Sequence, residues 1–368
     1  AESASPGGES RAPWLAGGVV LAAIAFLLFG VAPLRRLAGG SSAIAVPGEV
    51  VVGVEPEEVE PEGSPPELEK PDPGPQIEPE AMPKGVAAAG LSRTIEIAGV
   101  DTRVFEFGPE DGPVALCVHG FAAGPEMFRK LARKMADAGW RVIAFDLPGG
   151  LGTAPPPKPG PVTPQLVSFL SSAIAELSPS ERPMLVAHSQ GGYIAARLAS
   201  EQPKLVRSVV LLGPAGLDAA CWMRLISHAW VGLLFRLLVG LIGVRGRTRL
   251  AERLYRWAIG GKVGAKQFAR RFADRQTALR LVGSGPVFLH EVFEEELKPG
   301  GVKVPSLYVW GTEDNTTPPT SAVQVLSEAP KATVAVLAGM GHLPMLDDPA
   351  GVAELITKWG KRRGRRAR

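Results

Sequence analysis

The chain has 368 residues, of which 45% are hydrophobic, with 40 Lys and Arg against 37 Asp and Glu for a formal net charge of +3. This length holds one large domain with extensions, and the near-balanced charge argues against a nucleic-acid binder. Two cysteines, Cys117 and Cys221, make no disulfide framework, and no residues group with the spacing of a metal site or a phosphate-cradling loop.

Residues 1–13 are polar and small. Residues 14–34, WLAGGVVLAAIAFLLFGVAPL, carry no charge and have the length that crosses a bilayer core. They predict a single-pass N-terminal membrane anchor. A cleaved signal peptide and a buried core helix are the weaker readings, because Arg35 and Arg36 precede the Ala43-Ile44-Ala45 site and no polar face interrupts the run. Arg11 on one side and Arg35 and Arg36 on the other tilt the bulk of the protein only slightly toward the cytoplasmic-type side. Residues 35–86 read as an extended, disordered linker. From Pro47 to Gly85 it holds ten prolines and eleven acidic residues against two lysines.

From residue 87 strands and helices alternate. Thr94 to Ile97 and Val104 to Phe107 alternate in polarity as antiparallel strands do. Val114 to Val118, Arg141 to Phe145, Met184 to Ala187 and Arg207 to Leu212 are continuous apolar runs, as expected of strands buried on both faces. Helices are predicted over Glu126–Ala138 and Gln165–Leu177 and after Gln190. Residues 215–300 break the rhythm: an apolar helical stretch, Leu225 to Val244, is followed by eleven basic residues between Arg245 and Arg280 against Glu252 and Asp274. This segment reads as a helical cap. A second membrane span at Leu225–Val244 is disfavoured by Arg236. Alternation resumes with strands at Ser306–Trp310 and Thr333–Leu337 and helices at Ser321–Ser327 and Gly351–Trp359. A basic tail closes the chain at 361–368. The expected fold is α/β, a mostly parallel central sheet flanked by helices, with core segments 87–214 and 301–360 around the cap at 215–300.

Three motifs carry chemistry. Ala187-His188-Ser189-Gln190-Gly191 joins a buried strand to a helix with only small residues two before and two after the serine, the pattern of a nucleophile elbow. Gly311-Thr312-Glu313-Asp314 follows the strand at 306–310, and Gly341-His342 follows the strand at 333–337. Ser189, Asp314 and His342 thus come in order, each in a loop at the carboxyl end of a strand, the edge where ligands of parallel sheets bind. A serine needs a base, and the base needs a carboxylate to fix its tautomer. Backbone N–H groups of Phe121 and Gln190 are placed to hold an oxyanion. Glu313 is the weaker candidate for the acid; Asp347 and Asp348 read as helix caps, and His119 and His188 as residues that orient loops.

From about Leu91 to Gly360 the chain resembles the α/β-hydrolase fold family, on HGF at 119–121, DLPG at 146–149, AHSQGG at 187–192, GTEDNTTP at 311–318 and GHLPMLDDP at 341–349. The resemblance implies Ser189 as nucleophile, Asp314 as acid and His342 as base, with no cofactor. Ala187 stands where the usual pattern has Gly, and serine at 189 excludes the aspartate-nucleophile relatives. The expected activity is hydrolysis of a carboxylic ester, a lipid or another lipophilic acyl compound, at a membrane bilayer. An amidase or cofactor-free perhydrolase on the same residues, or a non-catalytic subunit of a membrane complex, are the alternatives. Oligomeric state is left open.

Overall fold

The computed structural model describes residues 50–52, 91–150, 153, 160–218, 221–260, 269–270 and 272–366. The apolar run at 14–34 and most of the linker lie outside them. Nine strands form one sheet: β1 (Val50–Val52), β2 (Leu91–Ile97), β3 (Val100–Phe107), β4 (Val114–Val118), β5 (Arg141–Phe145), β6 (Met184–His188), β7 (Ser208–Leu212), β8 (Ser306–Gly311) and β9 (Thr333–Leu337). Their order is β1-β9-β8-β7-β6-β4-β5-β3-β2. Only the β2–β3 and β3–β5 pairings are antiparallel; every other pair is parallel. The short strand β1 comes from the segment read as disordered linker and pairs with β9, Val50 opposite Val334.

The four-to-six-residue apolar runs became strands because both faces of the sheet are covered. Leu116, Val118, Leu185, Leu211, Tyr308 and Trp310 enter one core. Their alternates Ala115, Cys117, Val186, Val210, Leu307 and Val309 enter the other. Two helices, α1 (Arg129–Asp137) and α10 (Pro349–Arg366), supply Leu131, Met135, Val352 and Ile356 to the second core. On the other face lie α2 (Val162–Leu177) and α3 (Gln190–Glu201), which supply Leu170, Ile174, Ile194 and Leu198. Burial of Cys117 pushes its thiol well up, so it stays a neutral core group.

The cap consists of α4 (Cys221–Ile226), α5 (Ala229–Leu241), α6 (Val244–Ile259) and α7 (Arg275–Glu294). The single helix expected at Leu225–Val244 is therefore broken twice: at Ser227 and His228, where Ser227 Oγ donates back to the Arg224 carbonyl at 2.7 Å, and at Ile242 and Gly243, between α5 and α6. Among the described residues no helix is long and apolar enough to cross a membrane. Pro286 lies inside the 20-residue α7 without ending it. The proline ring seats on Gly232 of α5, where an added Cβ would meet Pro286 Cγ at 2.9 Å. Two further helices, α8 (Ser321–Glu328) and the short α9 (Pro344–Asp347), complete the core.

Candidate active site

The carboxyl ends of β4, β6, β7, β8 and β9 converge on one edge. At the end of β6, Ser189 takes φ 51° and ψ −115° as the N-cap of α3. A non-glycine residue at positive φ is strained by about 1–3 kcal/mol, and such strain persists only where the surroundings enforce it. Here they do. Ser189 N donates to Leu212 O at 3.0 Å, and Ser189 O accepts from Tyr193 N at 3.0 Å and from Ala215 N at 3.2 Å. The small residues after the serine are dictated by β4: a Cβ on Gly191 would stand 2.5 Å from both Val118 O and His119 O. The turn sets Ser189 at the positive end of α3, with Gln190 as its first helical residue.

Asp314 and His342 meet across β8 and β9. Asp314 is almost fully buried, and its carboxylate is satisfied on every side. Oδ1 accepts from Thr316 N at 2.8 Å and Thr317 N at 2.9 Å. Oδ2 accepts from Thr317 Oγ1 at 2.9 Å and faces His342 Nδ1 at 2.8 Å. An ionised carboxylate has no proton to offer, so His342 Nδ1 is the donor, and its Nε2 is left as an acceptor. Gly213, at the end of β7 with φ +50°, brings this pair beside the serine strand. An added Cβ there would lie 3.1 Å from both Asp314 Oδ2 and His342 Nδ1. The residue before Gly213, Leu212, is the one that holds Ser189 N.

His188 sits between serine and histidine loops. Its Nε2–H donates to the His342 carbonyl at 2.9 Å, and the two rings lie 4.7 Å apart. Burial, and then the neighbouring His342, hold its pKa well below the usual histidine value, so it stays neutral and orients the loop. His119 is fixed in the other tautomer. Leu147 N donates to its Nε2 at 2.9 Å, so Nδ1–H donates to Gly120 O at 2.8 Å. Behind it Arg103 Nε donates to Asp146 Oδ2 at 2.6 Å. Desolvation raises the Asp146 pKa despite that arginine. This network ties the HGF loop to the DLPG loop.

Phe121, whose N–H was assigned to the oxyanion, follows Gly120, where an added Cβ would meet Ser189 Cβ at 3.0 Å. The Phe121 ring packs under α7, 3.3 Å from where a Cβ on Gly285 would stand. Gln190 is buried. Glu313 is exposed and pairs only its backbone N, with Met340 O, so of the two neighbouring acids it is Asp314 that meets the imidazole. Asp348 caps α10 through Gly351 N, as expected. Asp347 instead accepts from Gly341 N at 2.8 Å and holds the turn before His342.

The cap reaches into this site. The last turn of α6 presents carbonyls that have no partner within their own helix. Trp257 O accepts from Asn315 Nδ2 at 3.0 Å, Ala258 O from Thr316 Oγ1 at 2.8 Å, and Ile259 O from His342 N at 2.6 Å. Gly260, at φ +63°, ends the helix there. Among the described residues no cluster of His, Cys, Asp and Glu could hold a metal ion. A surface groove of about 390 Å³ lies between α2 and α3, but it includes none of these residues.

Known proteins agree with this architecture. Residues 113–349 match the family described as alpha/beta hydrolase fold. The acetyltransferase component of an acetoin cleaving system from Cupriavidus necator is 26% identical over 284 residues, 74% of this chain and 69% of that one. An uncharacterized hydrolase of Bacillus subtilis, YugF, is 24% identical over 73% of this chain and 97% of its own. Among solved structures, a putative lipase from Acinetobacter baumannii superposes with a TM-score of 0.62 at 18% identity, covering 75% of this chain and 93% of that chain. A haloalkane dehalogenase from Bradyrhizobium elkanii does so with 0.59 at 18% identity, over 76% and 99%. The family model spans most of the sheet and every loop just described, and the chain belongs to the alpha/beta hydrolase fold family.

Proposed function

We propose that the protein is a serine hydrolase of carboxylic esters, with Ser189 as nucleophile, His342 as general base and Asp314 as the acid that orients it. The observations that carry this are the buried His342–Asp314 hydrogen bond of 2.8 Å and the positive φ of Ser189 at the strand-to-helix turn. In the first half-reaction Ser189 Oγ gives its proton to His342 Nε2 and attacks the acyl carbon. The negative charge on the former carbonyl oxygen is met by the N–H groups of Phe121 and Gln190. The imidazolium, stabilised by Asp314, then gives that proton to the leaving alkoxide, and an acyl-Ser189 ester remains. Water, deprotonated by His342, attacks this ester, and Ser189 recovers its proton as the carboxylic acid departs.

The lipophilic-substrate reading is supported by the cap, whose α7 brings Gly285 against the Phe121 ring. The reading includes attachment to a membrane through residues 14–34, supported by their charge-free composition. Extraction of membranes with alkaline carbonate tests it: the anchored chain stays in the pellet, and release into the supernatant would remove the anchor from the reading. For the chemistry, a fluorophosphonate probe should label the wild-type chain and not Ser189→Ala. Equal labelling of the two would overturn the assignment.

A further inference from the structure

The cap turns its apolar side outward. Seven large hydrophobic residues are exposed among the described residues, and all but Val323 lie in the cap. Four of them, Trp230 (45%), Leu233 (60%), Leu237 (58%) and Leu241 (86%), recur every three or four residues of α5 and share one helical face. Gly232 and Val239, half a turn away, are buried, and Gly232 is where α5 rests on Pro286 of α7. The exposed stripe therefore points away from the body of the cap. A soluble surface rarely leaves such a contiguous apolar strip uncovered.

The next helix supplies the charge. Arg245, Arg249, Arg253 and Arg256 are exposed on one face of α6, spaced by four, four and three residues. Glu252 lies on the same face and pairs with Arg256. The helix cannot roll to hide them, because its opposite face is pinned. The buried Arg247 donates to Ile242 O at 2.7 Å, Phe272 O at 3.1 Å and Ala273 O at 2.8 Å. Leu241, Val244 and Arg245 bring the two characters together at the α5–α6 junction, where all three are exposed.

We propose that this outer face of the cap docks on an anionic lipid bilayer, the leucine stripe of α5 entering the acyl boundary and the arginines of α6 meeting lipid phosphates. Aliphatic side chains on one helix and guanidinium groups beside them are what the headgroup boundary accommodates, and long arginine stems let the charge reach the phosphates. Because α6 is 16 residues long, its arginine face begins only about 24 Å from the Asp314 and His342 loops at its other end. The docked face would thus put the site within one helix length of its lipid. The proposal deepens the lipophilic-ester reading by naming the surface from which substrate is drawn.

The test reads the cap itself and does not pass through turnover. In the full chain carrying Cys221→Ser, an environment-sensitive fluorophore is attached at Leu241→Cys, with Val323→Cys as the exposed control on α8. Both are made with and without Ser189→Ala. Attachment through residues 14–34 would act alike on vesicles of either lipid, so a response confined to anionic vesicles reports the cap. Vesicles containing phosphatidylglycerol should blue-shift and brighten the probe at 241 and not at 323, vesicles of phosphatidylcholine should leave both unchanged, and high salt should reverse the effect. The quadruple change of Arg245, Arg249, Arg253 and Arg256 to Gln should weaken the apparent partition by roughly a hundredfold while thermal unfolding shows the chain still folded. A silent probe on anionic vesicles, or an equal response to both lipids, overturns the proposal. So does a quadruple variant that docks like wild type, or a probe response that needs no vesicles, grows with protein concentration and is abolished by Leu237→Gln, which would make the stripe a self-association face. If docking is observed and fluorophosphonate labelling is not, the surface stands and the hydrolase reading falls.

Discussion

Replacing Asp314 by Asn changes one atom and should reverse the hydrogen bond that matters. The amide can sit in two ways. Asp314 Oδ1 now accepts from two backbone N–H groups, those of Thr316 and Thr317. If Asn keeps its oxygen there, its NH₂ faces His342 Nδ1 and donates to it. The imidazole proton then moves to Nε2, which can no longer accept from Ser189. The other flip would restore the tautomer but point NH₂ at two buried N–H donors, each left unsatisfied at about 1–3 kcal/mol. A penalty of roughly 2–6 kcal/mol keeps the amide in the harmful orientation. Turnover of a short p-nitrophenyl ester should therefore fall by about 10⁴-fold in kcat, which corresponds to about 5.4 kcal/mol of barrier. KM should change little, because no substrate contact is lost. A kcat within tenfold of wild type, in a variant whose fold is verified by circular dichroism, would refute the tautomer argument.

Other outcomes follow from the same geometry. Glu313→Gln should leave kcat within about twofold, since its side chain is solvent-facing and surface changes are typically small; a severe loss would move the acid to that residue. Gly191→Ala should fail to give soluble protein, or unfold well below wild type by thermal melt, because its methyl would collide with the backbone carbonyls of Val118, at the end of β4, and of His119 just after it; a normal melt would show that the elbow has room to move. Stability should fall as pH is lowered through the ordinary histidine value of about 6.5, because the buried His188 stays unprotonated in the folded chain while it takes up a proton on unfolding. Its depressed pKa makes the unfolded state the greater proton binder there, so the loss runs toward acid and levels off below the folded value. His188→Phe should flatten that part of a melting-temperature profile between pH 7.5 and 5, and an unchanged slope would assign it to other groups.

The central parallel strands were legible because they are covered on both faces, so Val114 to Val118 and Val209 to Leu212 show as unbroken apolar runs; β2, half exposed, shows as alternation instead. The serine was legible for a related reason: its backbone twist forbids bulky neighbours, and that prohibition is written at 187, 191 and 192. What holds the acid and the base was not legible. Gly213 lies about a hundred residues from Asp314, and the contact between them exists only once β7 and β8 are side by side. The Thr316 and Thr317 donors lie close to Asp314 in sequence, but two of the three act through backbone N–H groups that residue type does not mark. The cap was harder still. Its apolar sequence suggested one helix, and the local marks of its breaks are slight: Ser227, whose hydroxyl bonds back to Arg224 O, and Gly243 before α6. Pro286 would ordinarily argue for a break in α7, yet that helix runs through it, with the ring seated against Gly232, more than fifty residues earlier.

The carbonyls of Trp257, Ala258 and Ile259 have a consequence for how the chain could be rebuilt. A helical insertion between two strands of a sheet is easily pictured as an exchangeable part, set on a scaffold that works without it. Here the inserted segment supplies the partner of the His342 amide and of the Asn315 and Thr316 side chains. A graft that replaced residues 215–300 with the cap of a relative would keep the sheet and the twisted serine. It would also strip three hydrogen bonds from the loops that carry the other two residues. The cap and the loops after β8 and β9 are therefore not separable in this molecule, and a transplanted cap would have to bring its own helix end to the same three donors.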